Sequence, residues 1–71
     1  MKVNKSQVLM FMLEKLLVER EISSIEVKEK FEITDKTFYR YIQELRAYFS
    51  NMFRTEEIVY KKEYKKYYLE G

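Results

Sequence analysis

Four apolar residues, Phe38, Ile42, Leu45 and Phe49, recur at steps of four, three and four, and this spacing constrains the fold more than any other feature of the chain. It lines one face of an α-helix. Thr34 stands ahead of it, where its hydroxyl can accept from the free backbone N–H groups of the following turn. On the opposite side of the first two turns lie Asp35, Lys36, Tyr39, Arg40 and Gln43. All five can give or take hydrogen bonds, and two are cationic. A helix with that back and that front can enter a DNA major groove. An ordinary solvated amphipathic helix shows the same pattern, so the flanking sequence has to separate the two.

Upstream, Asn4 is a good N-cap with Gln7 at the capping-box position. Val8, Leu9, Met12, Leu13, Leu16 and Leu17 give a broad apolar face over residues 5–20. Met10 and Met12 read as core filler. Phe11 and Val18 lie further round; one can close the edge of the core, and an exposed one points to a dimer contact. Ile22, between polar residues, suits a one-rung strand. Ser23 and Glu26 then form a capping box for a short helix over residues 24–31, with Val27 and Phe31 facing inward. A short helix, a tight turn holding the single apolar Ile33, and a second capped helix over residues 35–50 make a helix-turn-helix. Tyr41 and Tyr48 flank the apolar face of that second helix, Arg46 lies outside it, and Ser50-Asn51 marks its end. Met52 and Phe53 are expected to pack back on the core.

The period changes after residue 56. Residues 57–61 and 65–69 are rich in β-branched and aromatic side chains, which suits strands. If Ile58 and Tyr60 face the core, Tyr67 and Leu69 pair with them across a hairpin, and Val59 and Tyr68 point outward. The turn around Lys62-Glu63-Tyr64 has no Gly or Asn, which favours a tip of three to five residues over a two-residue turn. One continuous C-terminal helix is the alternative.

Composition narrows the function classes. Seventy-one residues make one domain, spanning 1–71, with a thin core, since a chain this short buries only about 60% of its unfolded surface. There is no Cys and no His, hence no disulfide, no usual zinc ligands and no Cys or His nucleophile or base. The only Gly is Gly71, so there is no Gly-rich phosphate loop. These features argue against an enzyme, a metal or a cofactor. The apolar run from Val8 to Leu13 is too short to span a bilayer and no signal peptide is visible, so the cytoplasm is the expected compartment. Net charge is +2, and all the excess sits after residue 33, where eight Lys/Arg face six Asp/Glu. Within it, Lys61, Lys62, Lys65 and Lys66 cluster on the hairpin, either as a solubilising tip or as a phosphate-contacting one.

Three helices followed by a β-hairpin describe an α+β, mostly α fold, the winged helix-turn-helix. The stretch Ile33-Thr34-x-x-Thr37-Phe38-Tyr39-Arg40-x-Ile42-x-x-Leu45 resembles the DeoR-type pattern, apolar-Ser-x-x-Thr-apolar-x-Arg-x-apolar-x-x-Leu. It is also similar to the N-terminal domains of WYL-type and Mga/BglG-type bacterial regulators, with Lys66-Tyr67-Tyr68-Leu69 loosely matching their Tyr-x-Leu wing strand. The likeness covers about Lys5 to Leu69. Glu32 stands where a turn Gly or Asn is usual, Lys28 replaces a small residue, Tyr41 replaces an acidic one, and the wing has no glycine. Family members commonly continue into an effector or oligomerisation domain.

The resemblance implies a sequence-specific transcription regulator bound to double-stranded DNA, acting as a homodimer. Its third helix would be the recognition helix, with Lys36, Thr37, Tyr39, Arg40 and Gln43 facing the bases. Arg40 suits bidentate contact with guanine; pairing with Glu44 is the structural alternative. Thr37 can instead turn inward beside Phe38. Ser24 and Lys28, with Lys61, Lys62, Lys65 and Lys66, would hold the DNA backbone. Tyr64 at the tip either enters a minor groove or covers the turn. Two other functions suit the same fold: a protein–protein interaction module such as an antirepressor or assembly subunit, and an excisionase-like architectural DNA protein.

Overall fold

Side-chain oxygens start all three helices. In the computed structural model, which describes residues 4–52 and 55–71, helix α1 spans Lys5–Glu19, α2 spans Ser24–Phe31 and α3 spans Asp35–Met52. Asn4 Oδ1 accepts from the Ser6 N–H at 2.8 Å, whereas exposed Gln7 makes no reciprocal bond among the described residues. Ser23 and Glu26 form the full capping box of α2. Thr34 Oγ1 accepts from the Thr37 N–H at 3.1 Å at the start of α3. Each bond satisfies a donor that the first helical turn would leave orphaned.

Three strands complete the fold: β1 (Glu21–Ile22), β2 (Glu57–Lys61) and β3 (Lys66–Glu70). The sheet is antiparallel in the order β1-β3-β2, so the expected single rung at Ile22 is a two-residue strand added to the outer side of the hairpin. The cross-strand pairs are as expected, with Ile58 opposite Leu69 and Tyr60 opposite Tyr67, but only Ile58 and Leu69 are buried; Tyr60, expected to face the core, is 46% exposed. A continuous C-terminal helix is thereby excluded. The tip is a four-residue turn, Lys62–Lys65, closed by bonds from the Tyr64 N–H to the Lys61 carbonyl and from the Lys65 N–H to the Lys62 carbonyl. The order α1-β1-α2-α3-β2-β3 is that of a mostly α winged helix-turn-helix.

The core lies where the three helices meet the inner face of the sheet. Val8, Met12 and Leu16 of α1 pack with Val27 of α2, the quartet Phe38, Ile42, Leu45 and Phe49 of α3, and Ile22, Ile58 and Leu69 of the sheet. Phe11 closes one edge by meeting Phe31 edge-on, with ring centroids 5.4 Å apart. Several expectations need correction here. Met10, expected as core filler, is 69% exposed, and Leu17, expected on the apolar face, is also exposed, so the buried stripe of α1 is narrower than its sequence indicates. Val18, at 74%, is the exposed member of the Phe11 and Val18 alternatives. Ser50 and Asn51 do not end α3, which runs on to an exposed Met52; Phe53 lies outside the described residues. Arg46 is half-buried, and its Nε donates to the Ile58 carbonyl at 3.3 Å, fastening α3 to the hairpin.

The chain also solves its turns without glycine. Arg20 after α1, Glu32 after α2 and Lys65 at the hairpin tip all take left-handed φ angles, of 65°, 53° and 54°. In this region a Cβ crowds the following carbonyl, at a cost of roughly 1–2 kcal/mol per residue.

Candidate nucleic-acid interface

Helix α3 turns Phe38, Ile42, Leu45 and Phe49 inward, so helical geometry turns Lys36, Tyr39, Arg40 and Gln43 outward, and all four are exposed. Thr37 is half-buried, and Thr34 Oγ1 donates to its hydroxyl at 3.1 Å, which draws it into the cap rather than onto the outer face. The turn before α3 is braced by the Lys28 Nζ to Asp35 Oδ1 pair at 2.7 Å. Arg40 is not paired with Glu44, whose Oε2 instead meets Lys5 Nζ of α1 at 3.1 Å.

The hairpin lysines divide into two kinds. Lys61 pairs with Glu70 at 2.9 Å and lies over the Tyr68 ring, and Lys66 pairs with Glu21 of β1 at 2.7 Å. Their carboxylate partners raise the pKa of both lysines. Lys62 and Lys65, at the tip, are exposed and unpaired among the described residues. Tyr64 meets the Tyr68 ring edge-on at 6.2 Å, covering the outer face of the hairpin while remaining largely exposed.

A pattern emerges when every described cation is placed. Lys5, Lys15, Arg20, Lys28, Lys61 and Lys66 are bound to carboxylates. Lys30 lies over the Phe11 and Phe31 rings, and Arg46 is held by a carbonyl. The cations left without a partner among the described residues are Lys36 and Arg40 on the first turns of α3, and Lys62 and Lys65 at the hairpin tip. The resemblance nominates six backbone-contacting residues; Lys28, Lys61 and Lys66 are each paired with a carboxylate. Ser24 is half-buried at the start of α2.

Between the start of α3 and the hairpin lies an open cleft of about 300 Å³, which Ser24 also lines. Its aromatic residues are Phe38, Tyr39, Tyr60 and Tyr67, with Asp35 and Lys65 among its polar groups. Tyr67 packs on Phe38 at 5.6 Å and on Tyr60 at 4.8 Å. Burial raises the pKa of Tyr67, Arg46 opposes that shift, and Tyr60 and Tyr39 add to it. Sequence reasoning missed this cleft, although the Tyr60–Tyr67 pairing that builds one side of it was legible.

A second surface lies on α1. Met10, Leu13, Leu17 and Val18 line an apolar hollow of about 300 Å³, and Met10 and Leu13 also border one of about 230 Å³ shared with Leu45 and Tyr48 of α3. Among the described residues no group of acidic, His or Cys side chains could hold a metal ion, and no helix is long and apolar enough to cross a membrane. No protein-family model matches the chain, and neither curated proteins nor solved structures give a significant match.

Proposed function

We propose that the chain is a DNA-binding transcription regulator whose third helix enters the major groove while the hairpin tip meets the flanking backbone. The observation that carries this reading is the placement of the unpartnered cations. Lys36, Arg40, Lys62 and Lys65 lie on α3 and the tip, whereas the other described cations are neutralised or held within the fold. Unpaired surface cations retain their full attraction for phosphate, and their binding releases condensed counterions. Arg40 is the base reader, suited to guanine O6 and N7; Lys36, Tyr39 and Gln43 flank it, and Lys62 and Lys65 set the register on the backbone. The function is binding rather than catalysis, and it is exercised in the cytoplasm.

The exposed α1 stripe supports action as a homodimer, since two half-sites give the contacts that one small module lacks. The same stripe favours a second reading, in which the domain docks on another protein and DNA is not its ligand. Titrating mixed-sequence duplex at two salt concentrations separates the two. With Lys36, Lys62 and Lys65 on phosphates and Arg40 on a base, log K should fall against log salt with a slope of roughly −3 per protomer, and about twice that for a dimer on two half-sites. Arg40→Ala should relax sequence preference at a cost of about 1–3 kcal/mol, while Lys62→Ala weakens all sequences alike. No binding at low salt would leave only the protein-docking reading standing.

A further inference from the structure

A base-paired duplex leaves part of this surface unexplained. The cleft beside α3 is lined by the buried Phe38, the half-buried Tyr67 and the exposed Tyr39 and Tyr60, with Lys65 and Asp35 among its polar groups. Tyr39 and Tyr60 are 53% and 46% exposed, so roughly half of each side chain is open to solvent. Neither tyrosine hydroxyl nor the Lys65 ammonium has a partner among the described residues. Lys28 occupies Asp35 Oδ1, leaving Oδ2 as an acceptor. At about 300 Å³ the cleft stands at the lower end of small-ligand sites, which run from roughly 300 to 1,000 Å³.

Aromatic rings, one acceptor and one unpaired cation match the parts of a single nucleotide: a flat base with N–H donors, joined to a phosphate. In a duplex each base is stacked on both faces and cannot enter; in a single strand it can. We propose that this cleft is a stacking site for one unpaired base of single-stranded DNA. The base lies against Tyr39 and Tyr60, Asp35 Oδ2 accepts from a base N–H, and Lys65 holds the adjoining phosphate. The choice of ligand rests on the DNA-binding reading, so duplex is titrated in parallel.

The test measures fluorescence anisotropy of the full chain with three labelled probes: an oligothymidylate of about ten nucleotides, within the usual site size, an abasic oligomer of the same length, and a mixed duplex. The expected result is that oligothymidylate binds roughly 5- to 150-fold more tightly than the abasic oligomer, the range that stacking of one base provides. Tyr60→Leu should collapse that preference towards unity without changing duplex affinity, and Tyr39→Ala should collapse it independently. Each variant's helical circular dichroism is recorded alongside. Equal affinity for oligothymidylate and abasic oligomer overturns the proposal, because charge alone then explains binding. So does a preference that survives both substitutions. Duplex binding without single-strand binding overturns the stacking site and leaves the DNA reading intact, while binding of neither overturns both.

Discussion

Replacing Glu32 by glycine should make the protein more stable, although glycine ordinarily weakens helical segments. Glu32 follows α2 at φ 53° and ψ 42°, within the left-handed well. An L-residue there carries about 1–2 kcal/mol of strain that glycine escapes. Against this, glycine gains about 0.5–1 kcal/mol of additional freedom in the unfolded chain. The Glu32 side chain is exposed and has no partner among the described residues, so its removal breaks no contact. The one bond at this position runs from the backbone N–H to the Lys28 carbonyl at 2.7 Å, and glycine keeps it. The net expectation for Glu32→Gly, from the middle of both ranges, is a gain of about 0.75 kcal/mol, or a rise in Tm of roughly 3–6 °C for a domain this small. Glu29, three residues earlier, is also exposed but lies inside α2. Glu29→Gly should therefore lose about 0.5–1 kcal/mol. Thermal and urea unfolding followed by circular dichroism measure both. If Glu32→Gly lowers Tm as Glu29→Gly does, the left-handed strain assigned to this turn is wrong.

Ile42 is fully buried at the centre of the α3 face, and Ile42→Ala should destabilise by about 2–5 kcal/mol in urea unfolding, enough to unfold much of a small domain. Ser23→Ala removes one half of the capping box and should lower stability by about 0.5–2 kcal/mol, read as a shift of the urea midpoint at unchanged slope. Stability should fall in alkali. Lys15, Lys61 and Lys66 have raised pKa values through their carboxylate partners, so their contribution is complete below the ordinary lysine value of 10.5 and is lost as pH rises through the raised one. Tyr67, raised mainly by burial, acts in the same direction: above its ordinary value of 10.0 the unfolded chain ionises first. Unfolding midpoints should thus hold from about pH 9 to about 10 and decline above it, first through Tyr67 and then, above 10.5, through the lysines; a midpoint that climbs above about pH 10 would contradict both assignments.

The features legible in the sequence are those whose signal is local. The α3 quartet, the Ser23–Glu26 box and the Ile58–Leu69 register each follow from a period or a motif within one or two adjacent segments. Helix α1 was read less well because apolar residues surround it from Val8 to Leu13, and its period does not say which stripe finds the core. The packing partners decide that: Met12 and Leu16 meet the other helices and the sheet, while Met10 and Val18 are left outside. The lysine pairings were hidden for a different reason. Lys66 finds Glu21 across the sheet, 45 residues away in sequence, and that contact exists only because β1 joins β3. The left-handed turns at Arg20 and Lys65 gave no signal, since the residues that usually mark them are absent. At the candidate interface, Arg40 and Lys36 could be placed outward from helical spacing alone, but their lack of partners depended on where every carboxylate came to rest.

The bond from Arg46 to the Ile58 carbonyl has a consequence for how copies of this protein behave at high concentration. Leu69 directs its N–H to the Arg20 carbonyl at 3.0 Å, on the β1 side of β3. Ile58 stands opposite Leu69, so this is a non-hydrogen-bonded pair of the β2–β3 ladder, and Ile58 turns its own carbonyl to the open side of β2. An open strand edge is a template on which another chain can add a strand and begin aggregation. Arg46 occupies the acceptor that such a strand would seek and places a guanidinium in its path. A side chain that fastens the hairpin to α3 therefore also guards the β2 edge at Ile58 against an added strand.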